Sequence, residues 1–388
     1  MDNVLTEEHP ALAPRAAIRS LPAYSAGRDA AAVRRDTGYQ GLVIKLASNE
    51  GAEGPFPAAR AALESVSTAV QRYPDSYSTP VSEALARFHG VEPNEVIVGG
   101  SGCALLAHLS SAYLEVGDEV VFGQPTFHVY RLEALRMGAI PVPVPLKADG
   151  TYNLPAMRRA IGPRTRLVYI CTPNNPTGGL VSRSELTAFL EDLPARVLPI
   201  IDEAYFEYVA HPDYPDPVRI SSPCARQAVV LRTFSKIYGL AGLRIGYAVA
   251  PAAVVATCRR IQNPYEVTRT AQAAALASLG HPNELTRRRA QNEAGRTRLC
   301  AGLRTLGLEP LTSQGNFACV PVGHAKAVAG AMEARGVIVR PLDAMGDPTS
   351  IRITVGTPEE VEAFLDALAA ELNSEHTRSA GATTSMAL

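Results

Sequence analysis

Leu231-Arg-Thr-Phe-Ser-Lys-Ile-Tyr-Gly-Leu-Ala-Gly-Leu-Arg-Ile-Gly-Tyr247 sets one lysine in a turn rich in hydroxyls and glycine. The turn is bracketed by two apolar runs, Ala228-Val-Val-Leu231 and Ile245-Gly-Tyr-Ala-Val249. Runs of that length bounded by glycine read as strands. A lysine among apolar neighbours, here Lys236, loses its proton readily enough to form an imine with an aldehyde. Thr233, Ser235 and Arg244 surround it with donors suited to a phosphate.

Upstream the same rhythm repeats. Glu95-Val-Ile-Val98, Glu119-Val-Val-Phe122, Ile140-Pro-Val-Pro-Val144, Arg166-Leu-Val-Tyr-Ile170 and Leu198-Pro-Ile-Ile201 alternate with helical patterns. This alternation predicts an α/β fold whose large domain is a mostly parallel sheet covered by helices, with functional residues at the strand ends. Asn316-Phe-Ala-Cys-Val320, Val337-Ile-Val-Arg340 and Ile351-Arg-Ile-Thr-Val355 read as three strands of a smaller α+β domain. Its last helix opens on Thr357, Pro358 and Glu360, a capping box with proline in the first turn. The expected division is an N-terminal arm over 1–45, a large domain over 46–265, a small domain over 266–373 and an unstructured tail over 374–388.

The chain has 388 residues, 46% hydrophobic and 19% charged, with a net charge of −1. That balance describes a globular protein and argues against nucleic-acid and anionic-membrane partners. No apolar run approaches the length of a membrane span. The acidic start lacks the layout of an export signal, and six scattered cysteines form no CxxC pair, so a cytoplasmic location with reduced thiols is expected and no metal site is.

An imine-forming lysine beside phosphate donors is what pyridoxal 5'-phosphate requires. Its pyridine nitrogen needs a carboxylate. Asp202 ends the run Leu198 to Ile201 and is followed by Glu203-Ala-Tyr205; an aspartate there is commonly a helix cap, but this company favours the functional reading. Asn175, in Cys171-Thr-Pro-Asn-Asn-Pro-Thr-Gly178, and Tyr205 are candidates for the cofactor's 3-oxygen, although Asn175 taken alone reads equally as a turn residue. Gly99-Gly-Ser-Gly102 opens a helix, which makes Ser101, Gly102 and Cys103 candidate phosphate contacts. The spacing fits neither GxGxxG nor a P-loop. Phe127, in Gln124-Pro-Thr-Phe-His-Val-Tyr130, is the candidate stacking ring.

Lys45-Leu-Ala-Ser-Asn-Glu50, Arg72-Tyr-Pro-Asp75, Asn174-Asn-Pro-Thr-Gly178, Asp202-Glu-Ala-Tyr205, Ser235-Lys236, Gly242-Leu-Arg-Ile-Gly246, Ser313-Gln-Gly-Asn-Phe317 and Ile351-Arg-Ile-Thr-Val-Gly356 occur in this order. Together they resemble the fold-type I pyridoxal-phosphate aminotransferases, specifically the histidinol-phosphate aminotransferase family, over about Leu21 to Leu368. The resemblance implies transfer of an amino group between an amino donor, of histidinol-phosphate or aromatic type, and a 2-oxo acid such as 2-oxoglutarate. It also implies a homodimer, with Tyr73 reaching the neighbouring subunit's phosphate. Arg352 and Arg340 become substrate-anion arginines, Tyr24 a residue closing over substrate, and Asn49 a substrate contact. The chain departs from the family pattern at Gly102-Cys103-Ala104, at Phe127, where tyrosine is common, and at Pro264-Tyr-Glu-Val-Thr-Arg269. Glu266 and Arg269 are expected to alter charge near the substrate entrance. A decarboxylase or a cyclase or eliminase using the same cofactor shares Lys236 and Asp202. A non-catalytic regulatory module is disfavoured by the missing basic surface.

Overall fold

The computed structural model describes residues 13–19, 21–23, 27–214, 216–219 and 227–385. Among the described residues, twelve strands form three sheets: β1 (Ile44–Lys45), β2 (Val96–Gly99), β3 (Glu119–Gln124), β4 (Ile140–Pro145), β5 (Thr165–Cys171), β6 (Leu198–Asp202), β7 (Val229–Thr233), β8 (Gly246–Val249), β9 (Phe317–Pro321), β10 (Val337–Ile338), β11 (Arg340–Pro341) and β12 (Ser350–Thr354). The large sheet has the order β2-β8-β7-β6-β5-β3-β4. Six of its strands run one way. Only β8 opposes its neighbours β7 and β2, which leaves β2 aligned with the rest.

Composition explains who sits where. The central strands β5, β6 and β7 are buried almost throughout and read as near-continuous Val, Ile and Leu, as parallel strands covered on both faces must. β4 carries Pro141, Pro143 and Pro145 and lies at an edge, the place where a missing N–H breaks no ladder. Helices Gly102–Tyr113, Val129–Met137 and Leu154–Ala160 cover this sheet, and Leu105, Leu106, Leu109, Tyr130 and Met157 pack with Val121, Val168 and Ile200 in its main core.

A second core lies around the quoted turn: Phe234, Ile237, Tyr238 and Ile245 pack with Phe56, Leu85 and Tyr205. Ala271, Ala274 and Ala275 of the helix Arg269–Leu279 join it, so the segment just beyond residue 265 packs with the larger body. A third core gathers β9, β12 and the last helix through Val320, Ile353, Val361, Phe364 and Leu368.

The small sheet differs from expectation. Val337 to Arg340 does not form one strand: Val337 and Ile338 pair in parallel with Ile44 and Lys45, whereas Arg340 and Pro341 pair with β12. The chain therefore stitches residues 44–49 onto the small sheet, with Leu46 N–H donating to Ile338 O at 2.8 Å and Thr354 N–H to Leu46 O at 2.8 Å. The N-terminal region also carries the helix Ala30–Thr37, capped by Asp29 and stopped at Gly38 (φ 72°). Thr357 and Glu360 do form the capping box, with N–H···O distances of 2.8 and 3.3 Å. The helix they open runs from Pro358 to Ser385, past residue 373, where a tail is expected from composition; no proline interrupts it.

Candidate active site

The C-terminal ends of β2, β3, β5, β6 and β7 converge on a cavity of about 400 Å³. Such strand ends are where open α/β sheets place ligands, because loops and helix starts leave backbone donors uncommitted there. Ser101, Gly102, Cys103, Phe127, Asn175, Asp202, Tyr205, Thr233, Ser235, Lys236 and Arg244 all line it, and Asn49, Arg340 and Arg352 reach it from the stitched strip and the small sheet.

Lys236 follows the end of β7. Its Nζ donates to Ser48 O at 3.1 Å, and burial, then the positive charge of Arg352, bring its pKa down to about 8. Asp202 closes β6 and is 3% exposed. Its Oδ2 accepts from Tyr130 Oη at 2.7 Å and its Oδ1 from Ala204 N–H at 3.0 Å. Burial pushes this carboxyl up; those two donors and the charge of Lys236 oppose the shift. Behind it, Arg232 pairs with Glu203 at 2.8 Å, both fully buried, and the guanidinium lies 3.3 Å from the Phe206 ring centre. A buried charge needs such a partner, and this one joins β7 to the chain after β6.

Ser101 caps the helix Gly102–Tyr113, its Oγ accepting from Ala104 N–H at 3.0 Å. The start of that helix sits against Gly246, where an added Cβ would fall 2.8 Å from Gly102 N. Only glycine at 246 lets β8 approach the turn so closely. Thr233 Oγ1 accepts from Ser235 N–H at 3.1 Å, which folds the chain back just ahead of the lysine. Arg244 holds a left-handed backbone (φ 57°), as does Asn49 (φ 54°). Asparagine tolerates that region; for arginine it is uncommon, and such conformations gather at sites where the surroundings enforce them.

Arg352, in β12, is 4% exposed, donates to Asn175 Oδ1 and Ala47 O, and stands 5.6 Å from the Phe317 ring centre. Asn175 is therefore more than a turn residue. Arg340 is the cross-strand partner of Arg352 in register. Tyr205 Oη accepts from Asn49 Nδ2 at 2.9 Å, which leaves its own proton to donate.

Glu266 and Arg269 do not line the cavity: Glu266 accepts from Gly100 N–H at 2.6 Å, and Arg269 Nη2 donates to Tyr73 O at 2.6 Å. Tyr73 itself is 77% exposed and stacks on Tyr265 at 4.5 Å, away from this chain's cavity. Tyr24 lies outside the described residues. Sequence reading missed Tyr130, Ser48 and His128, the last of which lines the cavity with its pKa lowered to about 4 by burial and by Arg340 and Arg352. Tyr130 was signalled only by its place one helical turn beyond Phe127.

The family model for aminotransferase class I and II matches residues 42–368. The chain belongs to this family. The aminotransferase is 39% identical over 355 residues to a histidinol-phosphate aminotransferase of Moorella thermoacetica, spanning 91% of this chain and 92% of that one. It is 41% identical over 355 residues to an aromatic amino acid aminotransferase of Mycolicibacterium vanbaalenii, spanning 90% and 96%. The crystal structure of histidinol-phosphate aminotransferase from Sinorhizobium meliloti in complex with pyridoxal-5'-phosphate matches with a TM-score of 0.83 at 28% identity, over 93% of this chain and 97% of that one. The fold is thus that of the fold-type I aminotransferases, and pyridoxal 5'-phosphate is the cofactor. The residues present fit it: a lysine poised to lose its proton, a buried carboxylate, and a helix start carrying serine beside Ser235 and Arg244. Among the described residues no helix is long and apolar enough to cross a membrane, and no cluster of His, Cys, Asp and Glu could hold a metal ion.

Proposed function

We propose that this aminotransferase moves an amino group between a donor of histidinol-phosphate or aromatic amino acid type and a 2-oxo acid such as 2-oxoglutarate. The carrying observation is one cavity shared by Lys236, Asp202 and Arg352. Pyridoxal 5'-phosphate, when bound, supplies an aldehyde for the lysine and a ring that takes up the electron pair left when a bond to the substrate α-carbon breaks. Ser101, Gly102, Cys103, Thr233, Ser235 and Arg244 hold its phosphate. Phe127 is the ring available for stacking, and Asn175 and Tyr205 offer donors to its 3-oxygen.

Each remaining step falls to side chains. Asp202, oriented by Tyr130 and the Ala204 amide, balances the positive charge of the pyridine nitrogen. Lys236, with its pKa near 8, has a fraction of free amine at neutral pH, and its Nζ removes the proton from the substrate α-carbon and redelivers it. Proton transfer by a positioned base is worth about 10²–10⁴-fold. Arg352 binds the substrate's anionic group, a carboxylate or a phosphate, through two parallel hydrogen bonds, and Arg340 adds a second positive charge. Asn49, which lines the cavity, contributes a further substrate contact.

Lysine and acid belong to the large sheet's body and the two arginines to the small sheet, so that substrate bridges the two. The enzyme works as a cytoplasmic homodimer. Exposed Tyr73, Tyr77, Val70 and Leu42 support an apolar contact with a second copy. Sedimentation velocity tests that: a monomer at micromolar concentration refutes it.

Borohydride reduction of the loaded enzyme followed by peptide mapping tests the lysine, and a label away from position 236 overturns it. A panel of amino donors, including histidinol phosphate, phenylalanine and acidic amino acids, watched through the cofactor's absorbance, tests the substrate class. Turnover that consumes no 2-oxo acid refutes transamination.

A further inference from the structure

β2 is an outer strand of the large sheet, and the chain after the helix Ala252–Arg259 runs along its open side. Arg259 Nη2 donates to Val96 O at 3.2 Å, Gln262 Nε2 donates to Val98 O at 2.7 Å, and Glu266 Oε1 accepts from Gly100 N–H at 2.6 Å. Positions 96, 98 and 100 alternate along the strand direction. Three side chains thus take the place of a missing neighbour strand, the usual requirement at a sheet edge.

The third of these contacts differs from the other two. Arg259 and Gln262 satisfy carbonyls within the strand, whereas Glu266 takes an amide in the turn leading to Ser101. Its second carboxylate oxygen lies 3.1 Å from His108 Nε2, on the second turn of the helix that Ser101 caps. Glu266 and His108 are 11% and 10% exposed at the side chain. Burial alone would raise the Glu266 pKa, yet the His108 contact and the Gly100 amide hydrogen bond outweigh it and hold the carboxyl below its usual range. A Cβ on Gly100 would sit 3.2 Å from Glu266 Cγ, tighter than ordinary contact, so glycine there leaves the carboxylate its place. One carboxylate therefore ties both ends of the turn: the Gly100 peptide before the cap and the helix after it.

We propose that Glu266, held by His108, is a positioning residue for the cofactor's phosphate, locking Gly100 so that the Ser101–Cys103 helix start keeps its aim at the cavity. This rests on reading that helix start as the phosphate site. A carboxylate is otherwise an unfavourable neighbour for a phosphate dianion; here its charge is engaged by an amide and an imidazole on the far side of the turn.

The test compares two probes on apoenzyme, pyridoxal 5'-phosphate and pyridoxal, which differ only in the phosphate. Dissociation constants come from absorbance titration, and melting temperatures are recorded alongside. Glu266→Ala should weaken pyridoxal 5'-phosphate by about tenfold or more, the scale of a lost charge-assisted hydrogen bond, and leave pyridoxal unchanged. Glu266→Gln, which still accepts from Gly100, should restore the preference to within about threefold of wild type. Gln262→Ala, which uncaps the strand without touching the turn, should lower the melting temperature and leave the preference intact. If Glu266→Ala does not fold, Glu266→Asp, which withdraws the carboxylate from Gly100, must show the same selective loss. Equal losses for both probes, or no loss for either, overturn the proposal. A wild-type enzyme with no preference for the phosphorylated probe would instead remove the phosphate site itself, and the role of Glu266 with it.

Discussion

Tyr130 donates its hydroxyl proton to Asp202 Oδ2 across 2.7 Å inside the core of the large sheet, so the acid reaches the cavity with one oxygen already committed. The Ala204 amide takes the other, at 3.0 Å. Both contacts favour the carboxylate over the acid and offset the burial that would neutralise it. Asp202→Asn should nearly abolish turnover, because a buried cationic ring nitrogen loses its partner. Tyr130→Phe should lower kcat about tenfold, the worth of one hydrogen bond to a charged group. Steady-state kinetics on both variants checks this; Asp202→Asn activity within a few-fold of wild type would refute the assignment.

Lys236 sets a pH dependence with a definite sign. Its pKa lies near 8, below the usual lysine value, first through burial and then through Arg352. The rate of reconstitution with pyridoxal 5'-phosphate should therefore rise with pH and level off above about 8. In Arg352→Met the midpoint should move upward. The folded state also carries the cost of a protonated buried amine: this cost is complete below pH 8 and is relieved as pH rises toward the unfolded lysine value. Denaturant titrations should find Lys236→Met apoenzyme more stable than wild type at pH 7, with a gap that shrinks at higher pH. A pH-independent gap would contradict the shift.

Arg352 has two jobs that Lys cannot share. Its planar guanidinium bonds Asn175 and Ala47 at once while remaining beside the cavity. Arg352→Lys should lower kcat/KM for amino donor and 2-oxo acid alike, on the order of 10²-fold, as truncation of a buried charged contact does. A loss confined to one of the two half-reactions would reassign the arginine.

Arg269 lies outside the cavity and holds the Tyr73 carbonyl. Arg269→Asn should accordingly reduce kcat/KM by the same factor for acidic, aromatic and phosphorylated donors. A selective loss for acidic donors would return Arg269 to the substrate path.

Much of the site was legible from local pattern. Strand ends and helix starts are set by short-range chemistry, so Asp202 at the end of β6, Ser101 at a helix cap and Lys236 beyond β7 could each be read from a few neighbouring residues. The resemblance supplied Arg352, Arg340 and Asn49, whose separation along the chain hides their meeting. The partners of Glu266 were beyond reach because sequence shows charge but not direction: only the fold brings a glycine turn and a buried histidine to face it. The same limit hid Tyr130, an aromatic on a mixed helix whose hydroxyl meets an acid 72 positions away.

By itself the amino-acid order determined the alternation of strands and helices, the lysine in its turn of hydroxyls, glycines and an arginine, and the capping of the last helix, because each depends on hydrogen bonds and apolar periodicity within a few residues. Tertiary structure decided which strand ends share a cavity, that Val337 to Arg340 divides between two sheets, that Arg352 braces Asn175, and that Glu266 guards a backbone amide. Those contacts join segments far apart in the chain, and the burial that gives them their energy exists only once the sheets have closed around them.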